Sequence, residues 1–328
     1  MKILITGVAG YIGGTFAYEM LKKGFQIHGL DNFSNSSDKY IRIFKKKFPH
    51  NFKFKKIDLS KEKKLLQEIV NDFDPSATFH FAGLKAVLES QNNPEHYKKN
   101  NIKSTLNLLE SLKPYSSLVF SSSATVYGRN NPLPLTEKST LSASSVYGET
   151  KIISEELITD YSIRKGLKSI CLRYFNPVGC HKDFIVKEDF NENPSNLMPR
   201  LIQTVKNNEN VISIYGKDYK TEDGTAERDY IHIIDLIDGH FKALERLKNI
   251  KKTEFYNLGT GKPISVKKLV NTFNSVNNLN VLKKYVGRRD GDVEISFSDP
   301  SAAFEKLNWK ARYNLKQMCK DSWDSANE

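Results

Sequence analysis

Short apolar runs alternate with amphipathic stretches through the first half of the chain. Lys2–Thr6, Gln26–Asp31, Phe52–Lys56, Ala77–Phe81, Ser117–Ser121 and Lys168–Arg173 read as strands, and helices are predicted near Gly13–Lys23, Lys61–Asp72, Pro94–Leu112 and Val146–Lys165. Strands that alternate with helices imply a parallel sheet covered on both faces. Six strands with their crossovers fit an α/β, doubly wound sheet of the Rossmann type. Beyond Asn176 the pattern loosens into a polar stretch over 182–196, a helix near Leu197–Asn207 and short strands. Two domains are therefore expected. Residues 1–176 form a Rossmann domain for a dinucleotide; 177–328 form a smaller α+β substrate-binding lobe, some of whose segments rejoin the first domain.

Composition narrows the function classes. The chain is 39% hydrophobic and 27% charged, which suits a globular protein with a full core. No apolar run reaches the length that spans a bilayer, so no membrane partner is expected. Met1–Ile5 could pass for the start of a signal peptide, but Thr6, Gly7 and Gly10 interrupt it, and a buried first strand is the better reading. Three widely spaced cysteines, Cys171, Cys180 and Cys319, argue for a reducing, cytoplasmic setting without a disulfide framework or zinc knuckle. The net charge of +12 invites a nucleic-acid reading. Its lysines, however, lie in scattered patches such as 45–47, 55–56, 63–64 and 283–284, without the stacking aromatics of an RNA-binding sheet, so no nucleic-acid partner is expected.

The chemistry begins at the first strand–helix turn. Gly7-Val8-Ala9-Gly10-Tyr11-Ile12-Gly13 lets the backbone turn tightly against a pyrophosphate, whose charge the helix start stabilises. The spacing is G-x-x-G-x-x-G rather than the more familiar G-x-G-x-x-G, and a plain strand–helix turn is its blander reading. Asp31 closes the second strand, where a carboxylate can accept from both hydroxyls of an adenosine ribose and repel a 2′-phosphate; this favours NAD over NADP. Asp58 and Leu59, after the third strand, are placed either to hold the adenine edge or simply to end a strand.

A second constellation supplies a base. Ser121-Ser122-Ser123 closes the apolar run Leu118–Phe120, and Tyr147-Gly-Glu-Thr-Lys151 follows on a predicted helix. Positions i and i+4 share a helix face, so Lys151 is expected beside the Tyr147 phenol and the nicotinamide ribose. A fixed positive charge lowers a phenol pKa, giving a base suited to taking a hydroxyl proton during hydride transfer. With 15 tyrosines in a lysine-rich chain, the spacing also occurs at Tyr18/Lys22 and Tyr161/Lys165, which are expected to be solvated helix faces. The seven histidines include no metal-ligand spacing, and no Gly-x-Ser-x-Gly elbow accompanies the serines; neither a metal nor serine hydrolysis is expected.

Several runs, in one order, carry a resemblance. Gly7–Gly13, Asp31-Asn32-Phe33, Phe81-Ala82-Gly83-Leu84-Lys85-Ala86-Val87, Ser121–Gly128, Tyr147–Lys151 and Arg173–Gly179 are followed by Asn196–Pro199, Tyr219–Asp235, Tyr256–Gly261 and Arg288-Arg289-Asp290-Gly291-Asp292. Together they resemble the UDP-glucose/UDP-galactose 4-epimerases of the extended short-chain dehydrogenase/reductase superfamily, over nearly the whole chain. The glycine and Tyr-x-x-x-Lys motifs mark only the superfamily; 81–87 and the Thr221–Thr225 and Arg228–His232 runs are more specific to the epimerases.

The resemblance implies reversible epimerisation at C4 of a UDP-hexose through a 4-keto sugar, with tightly held NAD. Tyr147 would be the base, Lys151 its tuner and a ligand of the nicotinamide ribose, and Ser123 a hydrogen-bond partner of the sugar 4-oxygen. It also implies cofactor contacts at Gly7, Gly10, Tyr11, Ile12, Gly13, Asp31, Asn32, Asp58, Leu59, Phe81, Ala82, Gly83, Lys85, Asn100 and Tyr174. Substrate contacts would come from Asn176, Asn196, Leu197, Tyr215, Arg228, Tyr230, Arg289 and Asp292, with the two arginines on the diphosphate and Asp292 on the uridine ribose. A homodimer through the helices near Pro94–Leu112 and Val146–Lys165 is implied as well.

Two positions depart from the family pattern. Lys262-Pro263-Ile264-Ser265 stands where another glycine is common after Gly261. Family members restricted to unacetylated hexoses carry a bulky tyrosine where this chain has Ser296, so the expected pocket admits UDP-GlcNAc and UDP-GalNAc as well. The alternatives are a nucleotide-sugar dehydratase or decarboxylase on the same scaffold, or a non-catalytic NAD sensor. Ser123-Ala124-Thr125 lacks the acidic pair that follows the catalytic threonine in the dehydratases, and a sensor would not need an intact Tyr147–Lys151 pair.

Overall fold

A computed structural model describes residues 1–189, 194, 196–289 and 291–328. The chain divides into two compact units: residues 1–128, 141–173 and 239–256 form one, and 129–140, 174–238 and 257–328 the other.

The first unit begins β1 (Lys2–Thr6), α1 (Tyr11–Lys22), β2 (Gln26–Asp31), α2 (Lys39–Lys47), β3 (Phe52–Lys56), α3 (Lys63–Phe73) and β4 (Ala77–His80). It continues through α4 (Val87–Asn92), α5 (Pro94–Ser111), β5 (Ser117–Ser123), α6 (Val146–Lys165) and β6 (Lys168–Tyr174). Ile3, Leu4 and Ile5 are fully buried, as are Phe79 and Leu118, because these central strands are covered on both faces and so read as continuous apolar runs. In β1, β2, β3, β4 and β5 every neighbouring pair runs parallel.

The second unit adds β7 (Asn176–Val178), α7 (Leu197–Lys206), β8 (Val211–Tyr215) and β9 (Glu227–His232). Then come α8 (Ile233–Arg246), β10 (Glu254–Leu258), β11 (Pro263–Ser265), α9 (Val266–Asn277), β12 (Leu282–Val286), β13 (Ile295–Ser296), α10 (Ser301–Leu307) and α11 (Leu315–Asn327). More than half of α8, from Gly239, and most of β10 belong to the first unit, whereas Tyr174 at the end of β6 belongs to the second. The seven-stranded sheet has the order β10-β6-β5-β4-β1-β2-β3, a doubly wound order that reverses direction between β1 and β4.

In the first unit, Leu4, Leu30, Leu108, Leu118, Phe120 and Ile158 form one core, with α5 and α6 packed side by side. Ser145 caps α6 by accepting from Gly148 N at 3.1 Å, and Gly166 in the left-handed region, φ 66°, ends it. In the second unit, β9 lies between β11 and β13 and also pairs with β7, while β8 and β12 form a separate parallel ladder. A core of Met198, Leu201, Leu269, Phe273 and Met318 packs α7, α9 and α11 together.

Candidate functional site

The glycine turn is built by close backbone approach. Gly7 has φ +69°, and a Cβ there would lie 2.7 Å from Ala82 N; a Cβ on Gly13 would lie 2.3 Å from Gly7 O. Gly10 N-caps α1 without any side-chain cap or acidic first-turn residue, so the positive helix start at Tyr11 and Ile12 faces no protein carboxylate of its own turn. Asp31 fixes the loop beside it. Its Oδ2 accepts from Ala9 N at 2.9 Å, and its Oδ1 accepts from Phe33 N at 2.9 Å and Ser36 Oγ at 3.0 Å. A carboxylate has about four acceptor positions, so these bonds leave capacity for a ribose hydroxyl. Asn32 accepts from Ser34 N at 2.9 Å.

Asp58 takes the form of a strand-end cap. It accepts from Ser60 N and Oγ at 3.0 and 2.7 Å and pairs with Lys61 at 3.0 Å. Burial alone would raise its pKa, but these partners hold it below the usual value. Leu59 is buried, and its carbonyl accepts from Asn107 at 2.7 Å.

Past β4, Phe81 N and Ala82 N donate to the Thr6 carbonyl and hydroxyl, both at 3.2 Å. A Cβ on Gly83 would sit 3.4 Å from Asn101 Oδ1 and 3.9 Å from Lys151 Nζ, so this bare stretch of backbone lies against the lysine. Asn101 organises it, accepting from Leu84 N at 2.8 Å and donating to Leu84 O at 3.0 Å and Thr150 Oγ1 at 3.1 Å. Sequence reasoning named its half-buried neighbour Asn100 and the exposed Lys85, and did not name the buried Asn101.

Ser123, Tyr147 and Lys151 come together at the end of β5 and the first turns of α6. The Ser123 side chain acts on the Tyr147 phenol, favouring its ionised form. Thr125 donates to Ser123 Oγ through its N–H at 3.2 Å and its hydroxyl at 3.0 Å. Lys151 is only 5% exposed, and its Nζ donates to Ser121 O at 2.7 Å. The sequence predicts a phenol whose pKa Lys151 lowers; the structure differs. Burial pushes Tyr147 up to about 12, with Ser123 pulling the other way. The ammonium stands 5.7 Å from the phenol ring centroid, committed to a carbonyl. Burial in turn pushes Lys151 down to about 8.

The two other Tyr-x-x-x-Lys pairs are not solvated faces as expected. Tyr18 and Tyr161 are 5% and 7% exposed, Tyr18 stacked on Phe44 at 6.2 Å, with Lys22 and Lys165 lying over their respective rings. Their rings pack as core aromatics and their lysines cover them.

In the second unit, Tyr174 is buried, and Asn176 donates to Asp229 O at 2.9 Å. Asn196 N-caps α7 at the surface, and Leu197 opens that helix against the core. Arg228 donates to Glu227 O at 2.8 Å and lies 3.5 Å from Asp292, while Ser296 stands opposite it in the β9–β13 ladder. Arg289 stacks 4.3 Å above Tyr215. Tyr230 is buried among the core side chains, and burial pushes its phenol to about 12. Asp290 of the Arg288–Asp292 run lies outside the described residues.

Two further residues here escaped sequence reasoning. Asp229, fully buried, accepts from Thr260 N and Oγ1, Gly261 N, and Ser298 N and Oγ at 2.6–3.2 Å. Tyr219 is 6% exposed, and its hydroxyl has no hydrogen-bond partner among the described residues, although Asp292 and Arg228 both act on it electrostatically. Among the described residues no cluster of His, Cys, Asp and Glu is arranged to hold a metal, and no helix is long and apolar enough to cross a membrane.

Known proteins resemble this chain in sequence and fold. A family model described as GDP-mannose 4,6 dehydratase matches residues 4–322. The UDP-glucose 4-epimerase of Bacillus subtilis strain 168 is 41% identical, over 98% of this chain and 96% of that protein. The crystal structure of UDP-glucose-4-epimerase from Stenotrophomonas maltophila, with bound NAD and formylated UDP-arabinopyranose, superposes with a TM-score of 0.94 at 36% identity, over 100% of this chain and 98% of that one. The UDP-Glc/GlcNAc 4-epimerase of Campylobacter jejuni superposes with a TM-score of 0.85 at 31% identity, over 99% of both chains.

Proposed function

We propose a function from one premise: the chain belongs to the UDP-glucose 4-epimerase family, within the wider family whose model is described as GDP-mannose 4,6 dehydratase. It is an NAD-dependent isomerase that interconverts UDP-hexoses epimeric at C4. The observation that carries this reading is the buried Lys151, bonded to the Ser121 carbonyl at the end of β5, one helical turn from Tyr147 and against the Gly83 backbone.

The glycine turn, the uncapped start of α1, Asp31 and the 81–83 backbone fit a dinucleotide. NAD, when bound, supplies a reversible acceptor for the C4 hydride and a positive ring charge that favours the phenolate. Tyr147 takes the 4-hydroxyl proton as the C4–H bond breaks, leaving a C4 ketone; Ser123 holds the same oxygen. In the return direction Tyr147 would give the proton back to the same oxygen, so the overall reaction needs no outside oxidant. Lys151 orients the nicotinamide ribose and holds positive charge near the phenol.

Arg228, Arg289, Asp292 and the residues around them would bind the UDP portion, leaving the sugar free to turn. Ser296 is small, which favours acceptance of N-acetylated sugars, as the Campylobacter jejuni relative's name records for that protein. We place the enzyme in the cytoplasm as a homodimer. Dehydration is disfavoured because the stretch from Ser123 to Tyr127 holds no carboxylate to act on C5 and C6.

Incubation of the purified protein with UDP-galactose and UDP-GalNAc, without added cofactor, tests the reading. The expected products are the C4 epimers of both, with no net NADH. A 4-keto-6-deoxy product or stoichiometric NADH would overturn it, and turnover of UDP-galactose alone would remove the N-acetyl part.

A further inference from the structure

Lys151 carries its charge into the core of the first unit, and the groups around it decide whether it keeps that charge. On α6, Tyr147 and Glu155 flank it one turn to either side. On β6 stand Cys171 and Arg173, and on β4 His80. His80 is held neutral, its pKa pushed down to about 3 chiefly by burial, and burial keeps the Cys171 thiol protonated. Of these groups only Glu155 is a carboxylate, and it is paired with the Arg173 guanidinium.

Glu155 is 2% exposed and tightly held. Arg173 grips it with a two-pronged fork, Nε at 3.0 Å and Nη2 at 2.6 Å, while Arg173 Nη1 donates to Tyr127 OH at 3.0 Å. The Ser122 hydroxyl donates to Glu155 Oε1 at 2.6 Å. Ser122 lies between Ser121, whose carbonyl receives Lys151 Nζ, and Ser123, whose side chain acts on the phenol. One carboxylate therefore holds, through Ser122, the strand end that carries both Ser121 and Ser123, and lies one helical turn from Lys151.

We propose that Glu155, locked by Arg173, is a positioning residue for the epimerase reaction: it keeps the Lys151 ammonium charged and, through Ser122, sets the end of β5 that presents Ser121 and Ser123. The proposal rests on the function given above. Glu155 reaches neither sugar nor cofactor; it acts through Lys151 and the strand. The direction of the Lys151 titration agrees, since Glu155 pulls that pKa up against burial.

The test is the titration of Lys151, followed by NMR in protein labelled at lysine Cε. The protein is used as purified, and the signal is identified by its loss in Lys151→Met. Glu155→Gln removes the carboxylate and leaves Arg173 without its charged partner, though still bonded to Tyr127. The midpoint should fall by about one pH unit, a tenfold loss of proton affinity. The alkaline limb of kcat/KM should move to lower pH with it, because the charged lysine is the working form. The double variant Glu155→Gln/Arg173→Met removes the buried Arg173 charge together with its partner and keeps the experiment open if the single variant does not fold. Its midpoint should still fall, by less.

A double variant that titrates like the wild type would overturn the proposal, reducing the pair to a neutral clamp. So would an unmoved midpoint in a folded single variant. The NMR midpoint is read without turnover. Wild-type protein that epimerises nothing would therefore sink the functional reading, whereas an unmoved midpoint in an active enzyme would sink the Glu155 proposal alone.

Discussion

Asp229→Asn is an isosteric change with a large expected cost, because one buried carboxylate ties three segments of the second unit. Oδ1 receives Thr260 N at 2.8 Å and Thr260 Oγ1 at 2.6 Å. Oδ2 receives Gly261 N at 3.0 Å, Ser298 N at 3.2 Å and Ser298 Oγ at 2.6 Å. An asparagine offers one acceptor oxygen and one NH2. Its best orientation keeps the oxygen on the three donors from Gly261 and Ser298 and turns the NH2 toward Thr260. The Thr260 hydroxyl can rotate and accept, but the Thr260 N–H cannot, and a stranded buried donor costs about 1–3 kcal/mol. The three surviving bonds lose charge assistance, about 1 kcal/mol each. Relief of the buried charge returns part of this, leaving a net loss of about 3 kcal/mol, a large share of the ~5–15 kcal/mol that holds a typical domain folded.

Trp309 and Trp323 are the chain's two tryptophans, and both lie in the second unit with Asp229. Denaturant unfolding followed by tryptophan fluorescence therefore reports on the unit that is perturbed. Asp229→Ala, which also opens a cavity and strands all five donors, should lose more than Asp229→Asn. Arg228 adjoins Asp229 and Ser296 lies two positions before Ser298, so KM for the UDP-sugar should rise as well. An Asp229→Asn protein within about 1 kcal/mol of the wild type would refute the hydrogen-bond accounting.

Tyr147→Phe removes the base while keeping the ring, and kcat should fall by about 10²–10⁴ with little change in stability; full activity would refute the assignment. Gly13→Ala forces a Cβ to within 2.3 Å of Gly7 O, so the protein should purify with little or no NAD, read from its absorbance and by extraction. Ser296→Tyr should suppress turnover of UDP-GalNAc by about tenfold or more while sparing UDP-galactose, and an equal loss on both would argue against a size filter. His80 bonds Thr6 Oγ1 at 2.7 Å and Thr105 Oγ1 at 3.1 Å, and its pKa falls from 6.5 to about 3 in the fold. As pH drops below 6.5 the unfolded chain takes up this proton first, so His80 alone should cost up to about 1.4 kcal/mol of stability per pH unit until pH ~3; its replacement by an uncharged residue should flatten that slope.

The doubly wound sheet was legible because its central strands are buried on both faces and its glycine turn is local. β1, β2 and β3 match their expected spans, and β5 only extends the apolar run through Ser123. α2 was illegible for the opposite reason: Lys-Tyr-Ile-Arg-Ile-Phe-Lys-Lys-Lys buries only Ile41 and Phe44, and its helical face is mostly lysine. The segments after Asn176 gave weak signals because their strands are short, β13 having two residues, and acquire meaning only by pairing with distant ones. Asp229 shows the same limit in the site. Its partners Thr260 and Ser298 are far along the chain, so nothing near it in sequence marks it as more than one member of an Arg-Asp-Tyr run.

The three Tyr-x-x-x-Lys pairs show what a local pattern can and cannot say. All three tyrosines sit on helices with little or partial exposure, so burial of the phenol does not separate them. The lysines do. Lys22 keeps 36% of its side-chain surface exposed in a pair with Glu19, and Lys165 is exposed at a helix end, each able to shed its charge cost into water. Lys151 is 5% exposed, with the Ser121 carbonyl in front and Glu155 one turn behind. Burying an ammonium is costly and shifts its proton affinity, and a fold that repeats such a cost without a use would be less stable for nothing. The distinguishing quantity is thus the environment of the lysine, which depends on where β5 and β6 bring Ser121 and Arg173. That placement is tertiary, and no spacing within Tyr147–Lys151 encodes it.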